Sequence, residues 1–185
     1  MNPSKILCLG DSLTQASDVP KEKGWVHLVA EELGITTINA GINGDSTTGM
    51  LGRCKQLLSE HEPSHMIIMG GTNDILFGLK NEYIISNIHA MSRYARYHDI
   101  KCIVGIPTSI INPEALNFIG ENVQQRLESY QQTLINYCED DEKAFIDFSK
   151  SINPEHYLED GVHLNESGHL QMKNVATAFL SKMIN

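Results

Sequence analysis

Three side chains in this sequence have the types and placement for nucleophilic chemistry: a serine at the end of an apolar run, a carboxylate and an imidazole. Ile6-Leu7-Cys8-Leu9 runs into Gly10-Asp11-Ser12-Leu13. The run has the length of a buried strand, and the glycine permits a sharp turn after it. Ser12 is thereby delivered to a strand end, where a hydroxyl can meet a ligand. Far downstream, Asp160-Gly161-Val162-His163 places a carboxylate and an imidazole three residues apart. A serine hydroxyl is a weak nucleophile until a base takes its proton. His163 is the candidate base, and Asp160 the candidate that orients the ring and stabilises its protonated form. These are the parts acyl transfer requires.

Acyl transfer also needs donors aimed at the oxyanion of a tetrahedral intermediate, each worth about 3 kcal/mol of transition-state stabilisation. The amide of Ser12, the amide of Gly44 and the side-chain NH2 of Asn73 are the candidates. They lie in three segments that follow apolar runs: Gly10-Asp11-Ser12, Gly41-Ile42-Asn43-Gly44-Asp45 and Gly70-Gly71-Thr72-Asn73-Asp74. Gly-Asp-Ser recurs at Gly44-Asp45-Ser46, so composition alone also allows Ser46 as nucleophile. Ser12 follows the cleaner strand, which leaves Ser46 as a helix N-terminal residue beside the site. Asp11 is expected to hold the nucleophile loop by hydrogen bonds, and Asp45 and Asp74 to brace their turns. His27, His89, His98, His156 and His169 have no clear partners in the sequence and read as surface or interface residues.

His61-Glu62-Pro63-Ser64-His65 spells the zinc-protease signature, which works only on a helix that puts both histidines on one face. Pro63 interrupts helical bonding and drives Glu62 toward extended geometry. No metal site is therefore expected.

These residues need a scaffold. Strand-like runs at 5–10, 36–40, 65–70, 101–106 and 144–147 alternate with amphipathic stretches at 25–33, 48–59, 82–98, 123–139 and 166–183. Gly34 is a candidate C-terminal cap and Asn165 a candidate N-cap. The alternation predicts an α/β fold: a mostly parallel sheet with helices on both faces and a few allowed doubly wound orders. Sites in such sheets lie at the carboxyl ends of the strands, where all three Gly/Asp-rich segments converge. The 185 residues are expected to form a single domain, 1–185.

The net charge of -9, from 14 basic and 23 acidic side chains, argues against nucleic acid and anionic membranes as main partners. No apolar run is long enough to span a bilayer. Met1-Asn2-Pro3-Ser4-Lys5 leads straight into the first strand without a signal-peptide core, so a cytoplasmic location is expected. Cys8, Cys54, Cys102 and Cys138 are widely spaced and read as buried, reduced thiols.

Four blocks, in order, resemble the SGNH hydrolases, also called the GDSL esterase/lipase family: Gly10-Asp11-Ser12-Leu13, Asn39-Ala40-Gly41-Ile42-Asn43-Gly44-Asp45, Gly70-Gly71-Thr72-Asn73-Asp74 and Asp160-Gly161-Val162-His163-Leu164-Asn165. The resemblance implies a three-layer α/β/α sandwich with a five-stranded parallel sheet in the flavodoxin-like order 2-1-3-4-5. It implies ester hydrolysis with no metal or organic cofactor. It assigns Ser12 as nucleophile, Gly44 and Asn73 as oxyanion donors, and His163 as base backed by Asp160. Gly44 is favoured over Gly41 because the glycine directly before the Asp matches the family's donor position. Gly41 is left to the turn leaving the second strand.

The segment 108–120 follows the fourth strand and is long and largely apolar. It is expected to wall one side of an acyl pocket, with Ile110 and Phe118 as candidate lining. The expected partner is a small-molecule ester: short-chain, acetylated-carbohydrate, lysophospholipid or thioester. Two rivals carry different expectations. A non-catalytic small-molecule-binding module would not need the whole Ser, Gly, Asn, Asp and His set. An acyltransferase would pass the acyl group to an alcohol instead of water. No Gly-x-Ser-x-Gly elbow occurs, which excludes the α/β-hydrolase family. Activity is expected to rise as His163 loses its proton.

Overall fold

The computed structural model describes residues 4–184. Its centre is one parallel sheet of five strands: β1 (Lys5–Gly10), β2 (Thr36–Gly41), β3 (His65–Met69), β4 (Lys101–Ile106) and β5 (Ala144–Asp147). Their order is β2-β1-β3-β4-β5, with every pairing parallel. The chain steps from β1 outward to β2, then returns past β1 to β3. That reversal opens a crevice at the carboxyl ends of β1 and β3.

The strand sequences explain why both faces are covered. Leu7 and Leu9 of β1 and Met66 and Ile68 of β3 enter one core, with helices α3 (Thr47–His61), α5 (Asn81–Tyr97) and α6 (Val123–Asp140). Ile6 and Cys8, with Ile67 and Met69, enter the other, against α2 (Trp25–Leu33) and α7 (Glu166–Ile184). Alternating side chains of a strand point to opposite faces, so a run apolar at every position is what a sheet buried on both sides demands. The helices answer with apolar stripes at helical spacing: Met50, Cys54 and Leu58 on α3, and Val123, Leu127, Tyr130, Leu134 and Cys138 on α6. Trp25 is fully buried, lies 5.4 Å from Phe148 between ring centroids, and donates its indole N–H to the Leu13 carbonyl at 3.0 Å.

The five strands and the long helices fall within two residues of the expected bounds. Gly34 caps α2 in the left-handed region at φ 62°, and Asn165 accepts the Gly168 amide at 3.0 Å ahead of α7. Two elements go beyond the expectation. Residues 12–15 and 72–76, for which no helix was expected, are the short helices α1 (Ser12–Gln15) and α4 (Thr72–Leu76). Four or five residues are too few to print a helical period, so only tertiary contacts reveal them. Glu62 also departs from expectation. It adopts the left-handed region at φ 44° as the C-cap of α3, not an extended conformation. His61 ends that helix while His65 opens β3, so the two histidines do not share a helical face.

Cys8, Cys54, Cys102 and Cys138 are free thiols. Burial pushes Cys8, Cys102 and Cys138 up to about 12 and Cys54 up to about 11, so all four stay protonated and inert at neutral pH. No helix among the described residues is long and apolar enough to cross a membrane.

Candidate active site

Ser12 opens α1, two residues beyond β1. Asp11 is the cap of that helix, its Oδ1 accepting the Leu13 amide at 3.0 Å. The far end of α1 is held as well, because Asn39 of β2 donates its side-chain amide to the Thr14 carbonyl at 2.8 Å. A helix of four residues survives here because neighbours satisfy its terminal groups. Gly41 makes the fit possible: a Cβ there would fall 2.2 Å from the Gln15 nitrogen and 2.8 Å from the Asp11 carbonyl. Gly41 ends β2 and serves close packing against α1; the turn expected of it begins one residue later.

His163 arrives from the opposite end of the chain. Residues 157–164 form a tight loop, pinned by the Leu158 amide on the His163 carbonyl at 2.8 Å and by the bridge between Tyr157 and Leu164. The ring reaches across the crevice, so that Nε2 lies 3.1 Å from Ser12 Oγ and Nδ1 lies 2.6 Å from Asp160 Oδ2. With the proton on Nδ1, the lone pair on Nε2 faces the serine hydroxyl, the arrangement general-base activation needs. Asp160 Oδ1 accepts the amides of Val162 and His163, each at 2.9 Å. Partial burial works to raise the Asp160 carboxyl, but those two amides and the His163 ring outweigh it and hold the group below the usual carboxylate range. The carboxylate is therefore ionised whenever the imidazole has to carry charge.

The three candidate donors lie in the segments that leave β1, β2 and β3. The Ser12 amide lies in the first turn of α1, whose amides have no intrahelical partner. Gly44 occupies the third position of a turn closed by the Asp45 amide on the Ile42 carbonyl at 3.1 Å, and its φ is 73°. The amide at that position is not used by the turn, and a left-handed backbone there favours glycine. Asn73 stands in the first turn of α4 and spends one N–H on the Asp45 carbonyl at 3.0 Å, which fixes its amide and leaves the second N–H.

Supporting residues lock these pieces together. Asp74 is fully buried and accepts the Thr47 amide at 2.9 Å and the Thr47 hydroxyl at 2.7 Å, joining α4 to the start of α3. Burial drives the Asp74 carboxyl upward against the pull of those bonds. Burial likewise lifts Asp11 to about 7, with the Asp74 charge adding to the rise. Ser46 caps α3 through the Gly49 amide at 3.3 Å, which gives it the structural place expected of it. Arg53, which the sequence reading did not single out, donates from Nε to Asp45 at 2.9 Å, from Nη1 to the Ala40 carbonyl at 2.6 Å and from Nη2 to the Gly10 carbonyl at 2.8 Å. No local spacing rule joins it to the site, since its partners lie on three other segments.

Of the two candidate lining residues, Ile110 is sealed into the core at 2 % exposure, whereas Phe118 is 80 % exposed. Phe118 stacks on Phe77 at 5.6 Å between centroids, and its amide bonds the Leu76 carbonyl at the end of α4. Phe77 lies four residues after Asn73, on the same side of that helix. Ile42, Leu116 and Ile119 are also exposed, so apolar surface gathers in the segments that carry the donors and in the loop after β4. His169, expected at the surface, is instead buried at 2 % exposure, and that burial holds its imidazole down at about 4. It lies in the first turn of α7 on the face turned into the molecule, which an isolated histidine in a sequence does not reveal. A cavity of about 500 Å³ lined by Lys55, Leu58, Tyr94 and His98 lies apart from all of these site residues.

A doubly wound sheet with a Ser-His-Asp array at its switch point is the frame of one hydrolase class, and comparison agrees with it. Residues 8–170 match the model of the GDSL-like lipase/acylhydrolase family, and the chain belongs to that family. It is 40 % identical over 92 residues to an arylesterase of Vibrio mimicus, covering 47 % of this chain and 46 % of that protein. It is 32 % identical over 104 residues to the esterase TesA of Pseudomonas aeruginosa, covering 54 % and 52 %. The chain thus spans about half the length of the curated relatives it matches. Among solved structures, a member of the lipolytic G-D-S-L family from Veillonella parvula superposes with a TM-score of 0.84 at 25 % identity, covering 97 % of this chain and 99 % of that one. The psychrotrophic esterase EstA from Pseudoalteromonas, in a structure inhibited by monoethylphosphonate, gives 0.80 at 25 % identity, covering 98 % and 99 %.

Proposed function

We propose that this protein is a serine hydrolase of carboxylic esters that works through an acyl-enzyme. The observation that carries the reading is the continuous contact from Ser12 Oγ to His163 Nε2 at 3.1 Å and from His163 Nδ1 to Asp160 at 2.6 Å. Ser12 Oγ attacks the ester carbonyl as His163 Nε2 takes its proton. The oxyanion meets the amides of Ser12 and Gly44 and the second N–H of Asn73. Collapse expels the alcohol, which leaves with the proton from His163. Water then attacks the acyl-enzyme, His163 again removes a proton and returns it to Ser12 Oγ, and the acid departs. Asp160 stays ionised throughout and balances the imidazolium.

The favoured substrate carries an apolar acyl or aryl group that lies on the Phe77–Phe118 pair. Support comes from the exposure of that pair and from its link to α4, which bears Asn73. The names of the relatives, arylesterase and esterase, point the same way.

The test is hydrolysis of p-nitrophenyl esters from acetate to decanoate by wild type and Ser12→Ala, with an ethyl p-nitrophenyl alkylphosphonate, which expels p-nitrophenolate as Oγ bonds phosphorus, as covalent probe. The expected result is turnover and stoichiometric phosphonylation in wild type and neither in the variant. Equal rates in both proteins would remove Ser12 from the chemistry, and product esters formed in added alcohols would redirect the reading to acyl transfer.

A further inference from the structure

Resting on the serine-hydrolase reading, we propose that Arg53 is the positioning residue that sets the spacing of the three oxyanion donors. Its guanidinium binds the segments that carry Ser12 and Gly44 directly, and reaches the third donor, Asn73, through Asp45. Nη2 bonds the Gly10 carbonyl, two residues before Ser12. Nε bonds the carboxylate of Asp45, the residue that follows Gly44. The main-chain carbonyl of the same Asp45 accepts the Asn73 amide. Nη1 bonds the Ala40 carbonyl at the end of β2, from which the Gly44 turn departs. A single rigid cation thus ties the ends of β1 and β2, the glycine turn and, through Asp45, the side chain of Asn73.

The geometry suits only arginine. Three bonds in diverging directions need a planar fork of donors, and a lysine ammonium cannot meet a carboxylate and two carbonyls at those places through one flexible stem. The Arg53 and Asp45 side chains are 19 % and 13 % exposed, so the pair is shielded enough to hold one arrangement. Beyond the ion pair, the same fork reaches carbonyls on β1 and on the edge strand β2, so it fixes the ends of the two strands from which the Ser12 and Gly44 segments depart. Donor alignment gains directly, because oxyanion stabilisation depends on distance and direction to the developing charge.

The experiment is a double-mutant cycle on p-nitrophenyl acetate hydrolysis with wild type, Arg53→Lys, Asn73→Ala and the double variant, with Tm measured for each. Arg53→Lys is expected to lower kcat by roughly 10–100-fold while KM changes by less than about twofold. In the Asn73→Ala background the same substitution is expected to cost less than about threefold, because part of what it positions has gone. Equal fold losses in both backgrounds, or a lowered Tm with kcat intact, would overturn the proposal. If Arg53→Lys does not fold, Asp45→Ala cuts the same link from the other side, and full kcat in that variant would overturn it equally. Ser12→Ala runs alongside: activity retained there means that the serine reading has failed, whereas an inactive Ser12→Ala with unaltered Arg53→Lys means that the positioning role alone has failed.

Discussion

Ser12 is 7 % exposed, and its hydroxyl has a ring nitrogen 3.1 Å away. Removing that hydroxyl leaves the donors without a nucleophile, so Ser12→Ala is expected to lose at least ~1,000-fold in kcat, read by steady-state ester hydrolysis. Asp160 has a narrower part. Asp160→Asn keeps an oxygen for the Val162 and His163 amides but loses the charge opposite Nδ1. A drop of roughly 10²–10⁴-fold in kcat with the loop intact is expected, and full turnover would take Asp160 out of the mechanism. These residues were legible because serine, aspartate and histidine carry their chemistry in their names and sat in ordered blocks. Arg53 and His169 were not legible. The role of Arg53 comes from partners 8, 13 and 43 residues away on other segments, and the burial of His169 comes from tertiary packing; neither leaves a local pattern.

At the scale of elements, the site is two very short helices wedged against two strand ends. Gly41 shows how tight the wedge is. A methyl group in Gly41→Ala would meet the α1 backbone at 2.2 Å, so overpacking of about 1–3 kcal/mol is expected in chemical denaturation, together with lost turnover as α1 shifts. Retained stability and activity would mean that α1 can move without harm. The 108–120 loop is the element that meets substrate in the proposed reading. Phe118→Ala is expected to lower kcat/KM for long-chain or aryl esters by about tenfold and leave acetate nearly unchanged, since one aromatic contact is worth roughly 1–2 kcal/mol. An unaltered chain-length profile would exclude Phe118 from the acyl surface. The five strands and long helices were readable from periodicity. The loop was readable only as apolar, and the division between buried Ile110 and exposed Phe118 needed the packing of residues around it.

At the scale of the whole molecule, two buried ionisable groups set opposing pH trends in folding stability. His169 is held at about 4 against an ordinary 6.5. Between those values the unfolded chain binds a proton that the folded chain refuses, so stability falls as pH drops from 6.5 to 4, by about 3 kcal/mol in all. Asp11 runs the other way. Burial lifts it from 3.8 to about 7, the folded chain keeps a proton that the unfolded chain has lost, and stability falls as pH rises through that window. Denaturation curves across pH 4–7 are therefore expected to flatten on the acid side for His169→Gln and to fall less toward neutrality for Asp11→Asn. Slopes identical to wild type in both variants would show that neither group titrates as its burial demands.

The indole of Trp25 donates to the Leu13 carbonyl, one residue beyond Ser12, and it is the only tryptophan in the chain. Native fluorescence is therefore an unlabelled optical reporter on the turn that bears Ser12. Covalent capture of an inhibitor, displacement of that turn by a substitution and global melting can each be followed at one emission wavelength.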